Sequence, residues 1–251
     1  MAAGAVGSSV AIASPFASSV VSYDAGSNPD GSPNDGTQAL GAPTADNGFG
    51  TVTPFNPAFD SADVVSVGFG GHLTVAFDHR VENDALNPFG VDLLIFANEG
   101  FVDQDFPNGF TGDTTLFREL FSPEAAATIE VSQDGVDWHF VTTSYIDLWP
   151  TLATPGADFT RPVDPTLTID DFDNSFLSGI ESLYGGSGGG FGIDLDDVAL
   201  DWIQYVRLTN EDDSLFAFEV DAFSDVAAVP APSTLLPASL FVLAFSSRRR
   251  R

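Results

Sequence analysis

Thr128-Ile-Glu-Val-Ser-Gln-Asp-Gly-Val-Asp-Trp-His-Phe-Val141 is the stretch on which the fold class turns. Ile129 and Val131 alternate with Glu130 and Ser132, as a half-buried strand requires when successive side chains point to opposite faces. Asp134-Gly135 then supplies the backbone conformation of a tight turn, and an apolar run resumes at Trp138. The pattern predicts strand, turn, strand.

The same rhythm extends in both directions. Val64–Val67, His72–Phe77, Val91–Phe96, Ala127–Ser132, Trp138–Thr142, Ile203–Leu208 and Phe216–Val226 read as strands separated by turn residues. Val91-Asp-Leu-Leu-Ile-Phe96 is nearly continuous in its apolar character, which predicts a central strand covered on both faces. Short helical turns are expected within Leu116–Ala127 and Asp194–Asp201. Strands at this density imply an all-β fold, an antiparallel sandwich or jelly roll with long loops. The stretch Asp147–Gly192 breaks the rhythm with Pro150, Pro155, Pro162, Pro165 and the glycine run from Gly185 to Gly192. It is expected to be a long excursion from the sandwich, and loops of that length are commonly functional.

Composition narrows the function. The chain of 251 residues has no Cys, so neither disulfides nor thiolate-held zinc is available. It has no Lys, and its eight basic residues are all Arg, four of them the terminal run Arg248–Arg251. Residues 1–247 therefore carry four Arg against 36 Asp and Glu, a formal −32. Such a surface repels nucleic acid and other polyanions. The acids either solvate the outer face or gather in places to bind a cation.

Two ends stand apart from the strand pattern. Residues 1–20 are small, apolar and uncharged, like the apolar region and cleavage zone of a secretory signal, with Ala13 or Ala17 near the cleavage points. A first strand is the other reading of this segment. At the far end, Val229-Pro-Ala-Pro-Ser-Thr precedes an apolar block of 11 residues, Leu235–Phe245, and the four Arg. A membrane span needs about 20 mostly apolar residues, so this block is short, while the Arg run fits retention on the cytoplasmic side.

The order of these last parts resembles the PEP-CTERM sorting signal, with Pro230, Ala231 and Pro232 in place of its Pro-Glu-Pro and Arg248, Arg249, Arg250 and Arg251 as its basic end. That resemblance implies transient membrane anchoring through a short C-terminal hydrophobic helix, recognition and cleavage by an exosortase-type sorting enzyme, and delivery to the cell surface or extracellular matrix. Phrases in the body, among them Val65-Ser-Val-Gly-Phe-Gly-Gly-His-Leu-Thr-Val-Ala-Phe77 and Asp92-Leu-Leu-Ile-Phe-Ala-Asn-Glu99, are similar to exported surface proteins of that group. The Ser132-Gln-Asp-Gly-Val-Asp-Trp138 hairpin resembles discoidin-like, galactose-binding-like jelly rolls. The expected organisation is a signal over 1–20, a sandwich over 21–228 and a sorting tail over 229–251.

Catalytic signatures are scarce. No Gly-x-Ser-x-Gly elbow or His-Glu-x-x-His pair occurs. His72 and His139 sit within strand patterns, where a lone His is more often structural. The glycine run lacks the Lys of a phosphate loop. Calcium is the cofactor the composition best accommodates, since it takes six to eight oxygen ligands from loops. Four acidic groups offer them: Asp24–Asp30, Asp103 with Asp105 and Asp113, Asp170 with Asp171 and Asp173, and Asp194 with Asp196 and Asp197. The galactose-binding-like resemblance implies a structural Ca²⁺ between Asp24 and Asp30 of an early loop and Glu219 or Asp221 near the last strand. Phe101, Phe106, Phe110, Tyr145 and Trp149 lie in polar, loop-like surroundings and serve either as glycan contacts or as packing beneath the excursion. Two functions are thus expected in competition: a non-catalytic surface protein that binds calcium or extracellular glycan, and a secreted carbohydrate-active enzyme using a carboxylate pair.

Overall fold

The computed structural model describes residues 14–27, 35–113, 125–144, 149–211 and 216–226. Among the described residues, nine strands form two antiparallel sheets. In chain order they are β1 (Ser19–Asp24), β2 (Val65–Val67), β3 (His72–Glu82), β4 (Leu93–Ala97), β5 (Ala127–Ser132), β6 (His139–Ser144), β7 (Phe191–Ile193), β8 (Trp202–Asn210) and β9 (Phe218–Asp225). One sheet runs β1-β3-β8-β5-β6 and the other β2-β9-β4-β7. The all-β, two-sheet antiparallel architecture expected from the sequence is the one observed.

Alternation builds the core. Leu73, Val75 and Phe77 of β3, Ile129 and Val131 of β5, and Val206 and Leu208 of β8 point inward from the five-stranded sheet. They meet Val65 and Val67 of β2, Leu93 and Ile95 of β4, and Phe218, Val220 and Phe223 of β9. Each such side chain contributes about 1.5–3 kcal/mol on burial. The Asp-Gly hairpin is present between β5 and β6. There the Asp134 carboxylate accepts the N–H groups of Val136 and Asp137, which also hold its pKa below the ordinary range.

β4 is covered on both faces, as its apolar run predicts. Leu93 and Ile95 enter the core between the sheets, while Leu94 and Phe96 join Val91, Ala222 and Val226 on the other side. What covers them is the excursion. Phe159 meets Phe96 edge to face at 5.7 Å, and Phe101, Trp149, Leu152, Val163, Phe172, Ile180 and Tyr184 form a buried cluster of their own. Ile180 and Tyr184 lie one turn apart on a short helix, α1 (Leu177–Tyr184), so both face that cluster. Gly185 ends α1 in the left-handed conformation that glycine adopts without penalty. Gly189 is more tightly constrained: φ is +89°, and a Cβ there would lie 2.4 Å from the Pro150 carbonyl oxygen. The glycine run thus lets the chain pass beneath Trp149 and Pro150 into β7, the structural role expected of it. The turn expected within Asp194–Asp201 is a 3-10 turn over Leu195–Val198, and most of Leu116–Ala127 lies outside the described residues.

The entry to the sandwich begins earlier than residue 21. Asp225 N–H donates to the Pro15 carbonyl, Ala17 N–H donates to that of Phe223, and Ala17 is buried in the main core. β1 follows as an edge strand on β3. The sorting motif Pro230, Ala231, Pro232 with Arg248–Arg251, and the hydrophobic helix expected between them, lie outside the described residues. Among the described residues no helix is long and apolar enough to cross a membrane.

Candidate functional site

The acids have distinct positions. In the acidic groups singled out from the sequence, many carboxylates close turns of the chain itself. Asp24 accepts the Gly26 N–H, and Asp103 accepts those of Asp105, Gly109 and Phe110. Asp171 accepts from both the backbone and the hydroxyl of Thr168, and Asp194 accepts from Asp196. These are Asx and capping arrangements, which short acidic side chains favour in loops.

Asp92 takes the same role in the interior. Its carboxylate is 0 % exposed and accepts the Asp84 N–H, the Asn87 amide and the Leu195 N–H at 2.8–3.1 Å. It therefore pins the segments after β3 and β7 to the start of β4. Burial raises its pKa, against the lowering effect of those three donors.

Of the four residues implicated in calcium, two lie on β9. Glu219 stands between the core residues Phe218 and Val220 and so projects from the outer face of the strand, while Asp221 is the extra residue where the register of β9 shifts against β4. Asp24 stands exposed at the end of β1, in the other sheet, and Asp30 lies outside the described residues. Among the described residues no group of three or more His, Asp or Glu forms a potential metal centre. Asp221 is 2 % exposed, and its two oxygens accept the Thr44 N–H at 2.8 Å and the Thr44 hydroxyl at 3.0 Å. Burial pushes its pKa up to about 7; the Thr44 bonds oppose that shift and the nearby Asp63 charge reinforces it. Across the strand pair, the Asn98 amide donates to Glu219 Oε2, while Asn98 Oδ1 is buried without a hydrogen-bond partner among the described residues.

His72 Nε2 lies 3.1 Å from the Ser22 hydroxyl across the exposed pairing of β1 with β3, and His139 is exposed on β6. His79 has Asp78 at 2.8 Å on one ring nitrogen and Asp225 at 3.0 Å on the other, joining β3 to β9. Burial pushes the Asp225 pKa up to about 6, with the His79 bond acting in the opposite sense.

The loop aromatics divide. Phe101 and Trp149 are buried beneath the excursion, the packing role that was one of the two expected. Phe110 stacks on Phe176 at 4.8 Å, Phe106 is 85 % exposed, and Tyr145 lies outside the described residues.

A different group of aromatics occupies the outer face of the five-stranded sheet. Trp138, Phe140, Trp202 and Tyr205 share it with Arg80 and Arg207. Arg207 stacks on Trp138 at 4.1 Å and also binds the Glu130 carboxylate at 2.6 and 2.8 Å. Arg80 stacks on Trp202 at 3.9 Å. Register places them: Arg207 is paired with Thr74 and Glu130, Glu130 with Phe140, and Tyr205 with Ala76 and Ser132. The sequence pattern hid this face: Trp202 and Tyr205 have opposite parity on β8 and share a side only through the register shift against β3, and the other members come from β3, β5, β6 and the turn before β6.

No family model matches the chain, and no curated protein matches it.

Proposed function

We propose that this chain is an exported, non-catalytic surface protein: an acidic sandwich of jelly-roll, galactose-binding-like type, displayed at the cell surface or in the extracellular matrix to bind glycan. Delivery depends on the C-terminal segment around Pro230-Ala231-Pro232, read and cut by an exosortase-type enzyme while the tail holds the chain at the membrane. The observation that carries the non-catalytic reading is the use of the buried acids. Asp92 and Asp221, the carboxylates most withdrawn from water, have their oxygens bonded to the chain's own loops, which supports a role in holding the fold rather than in proton transfer. Calcium enters this reading at Glu219, beside the side-chain carbonyl of Asn98, which has no hydrogen-bond partner among the described residues.

Of the two cleavage points in residues 1–20, packing supports Ala13 over Ala17, because removal through Ala17 would delete a buried residue and its bond to β9.

The test combines three measurements. Neutral polysaccharides incubated with the full chain should release no reducing ends; release that disappears in Asp221→Asn would establish the enzyme reading instead. Mass spectrometry of surface-exposed material should find peptides ending near Pro230, and peptides running through Leu243 would overturn cleavage there. A chelator should lower the melting midpoint, and an unchanged midpoint removes calcium from the proposal.

A further inference from the structure

We infer that the outer face of the five-stranded sheet is a binding platform for an extended, uncharged polysaccharide, with Trp138, Trp202 and Tyr205 as its flat contacts and Arg80 and Arg207 as its polar ones. This deepens the display reading above by giving the ligand class and its site.

Three observations converge on this face. The first is contrast with the other sheet. The outer side of β4 and β9 is covered by the cluster around Leu94 and Phe96, with the excursion beyond it. Among the described residues none of the buried apolar clusters lies on the outer side of β3, β8 and β5. Large aromatic side chains nevertheless stand there: the three rings of the proposal are half-buried and Phe140 is 60 % exposed. Large aromatics gathered on an open face are a recognised mark of a binding surface.

The second is the location of the cations. Arg80, Arg161 and Arg207 are the only basic Arg among the described residues, and two of them lie on this face, each against a Trp. A guanidinium over an indole fixes the rotamers of both, so the surface is ordered before a ligand arrives. The third is a register shift. Residues three apart on a regular strand face opposite ways, and the irregularity where β8 pairs with β3 between Ala76 and Val81 turns Trp202 and Tyr205 to the same side. Aromatic rings thus follow one another along the strand, which suits an extended chain rather than a single ring.

Charge selects an uncharged ligand. Arg207 is neutralised by Glu130, and Asp78 and Glu82 flank Arg80 on the same strand, so the face carries no net positive field for a polyanion within a body at a formal −32. The guanidinium and carboxylate groups instead present donors and acceptors at the edges of aromatic rings. That combination matches a pyranose chain, whose C–H faces are apolar and whose rim is hydroxylated.

Affinity electrophoresis of the full chain through gels containing neutral glucan, mannan or galactan, with alginate as the anionic control, tests the proposal. Retardation by at least one neutral polysaccharide, independent of salt, is expected, and Trp138→Ala with Trp202→Ala should weaken it by about tenfold or more. Phe140→Ser, at an exposed position, should weaken it less and provides a check that does not disturb the indoles. Absence of retardation by every neutral polysaccharide, retardation only by alginate, or unchanged retardation in the double variant at unchanged melting midpoint would each overturn it. So would concentration-dependent self-association lost in Phe140→Ser, which would make a second copy the occupant. Reducing-end release is read separately, so catalysis at the acids and failure of the platform give different results.

Discussion

The outer faces of the two sheets have been treated in opposite ways. On the four-stranded sheet, long connections close over β4 and β9 and bury aromatics and carboxylates together. On the five-stranded sheet, the β5–β6 hairpin is short, and the aromatics remain half-exposed beside Arg. The difference teaches that the large negative charge is not a uniform coat. Part of it lies inside the covered side, where individual acids tie loops to strands, while the open side holds most of the positive charge among the described residues.

If the covered side is integral to the fold, damage there should unfold the whole body. Phe172 is 0 % exposed and touches Phe101, Trp149 and Tyr184 with ring centroids 5.4–6.0 Å away. Phe172→Ala should cost about 3–5 kcal/mol. Urea unfolding should retain a single transition at a lower midpoint. A separate early transition with the main one unmoved would break the comparison, because the excursion would then be an appendage.

The next effect is a pH dependence. Asp221 is held protonated in the fold up to about pH 7, whereas in the unfolded chain it ionises near the ordinary carboxylate value of 3.8. Between those values the folded state binds more protons than the unfolded one, so stability declines as pH rises through the window and is fully present below it. The swing is on the order of 4 kcal/mol across the whole window. Asp225, raised to about 6, adds a slope of the same sign over a narrower range. Asp221→Asn should flatten the decline in melting temperature between pH 5 and 7.5. An unchanged slope would mean that the acid is ionised in the fold throughout this range.

These two regions were not equally legible from the sequence. Alternation and turn chemistry act over a few residues, so β5, its Asp-Gly turn and the double coverage of β4 could be read directly. β1 was harder: it is an edge strand with few buried side chains, and its apolar approach looks like an export signal. β7 has three residues within a glycine-rich stretch and gives no periodicity of its own. The fate of the acids was hidden for another reason. Asp221 meets Thr44 from 177 residues away, so nothing local distinguishes it from a solvated loop acid. Parity assigns Glu219 to one face, but the bulge at Asp221 arises from the pairing of β9 with β4, and the place of Asp24 depends on how the sheets stack. The Trp–Arg face has the same character, since Arg207 and its Glu130 partner are 77 residues apart.

A smaller effect tests the glycine passage under the covered side. Gly189→Ala places a methyl group against the Pro150 carbonyl and at a φ that L-residues rarely adopt. A cost of about 2 kcal/mol is expected from the strained backbone, with relief if Trp149–Pro150 can shift. Gly186→Ala is the useful control: its φ is +91°, but no atom lies within 4 Å of the added carbon. The difference between the two variants isolates the close approach from the conformational penalty. Equal melting temperatures would mean that the excursion is not clamped at Pro150.

The smallest stability effect belongs to the open face, and its smallness is what sharpens the contrast. Arg80→Ala removes a guanidinium stacked on a half-exposed indole, an interaction of about 0.5–1 kcal/mol in such settings. Trp202→Ala should cost somewhat more through lost area, and the double variant little beyond that, because each partner chiefly orders the other. A double-mutant cycle on thermal unfolding would measure that coupling. Coupling well above 1 kcal/mol would assign the pair to the fold, making the open face structural like the covered one. Coupling below it leaves Arg80 and Trp202 contributing little to stability, and an aromatic–cation pair kept exposed at little structural benefit is what a binding surface requires.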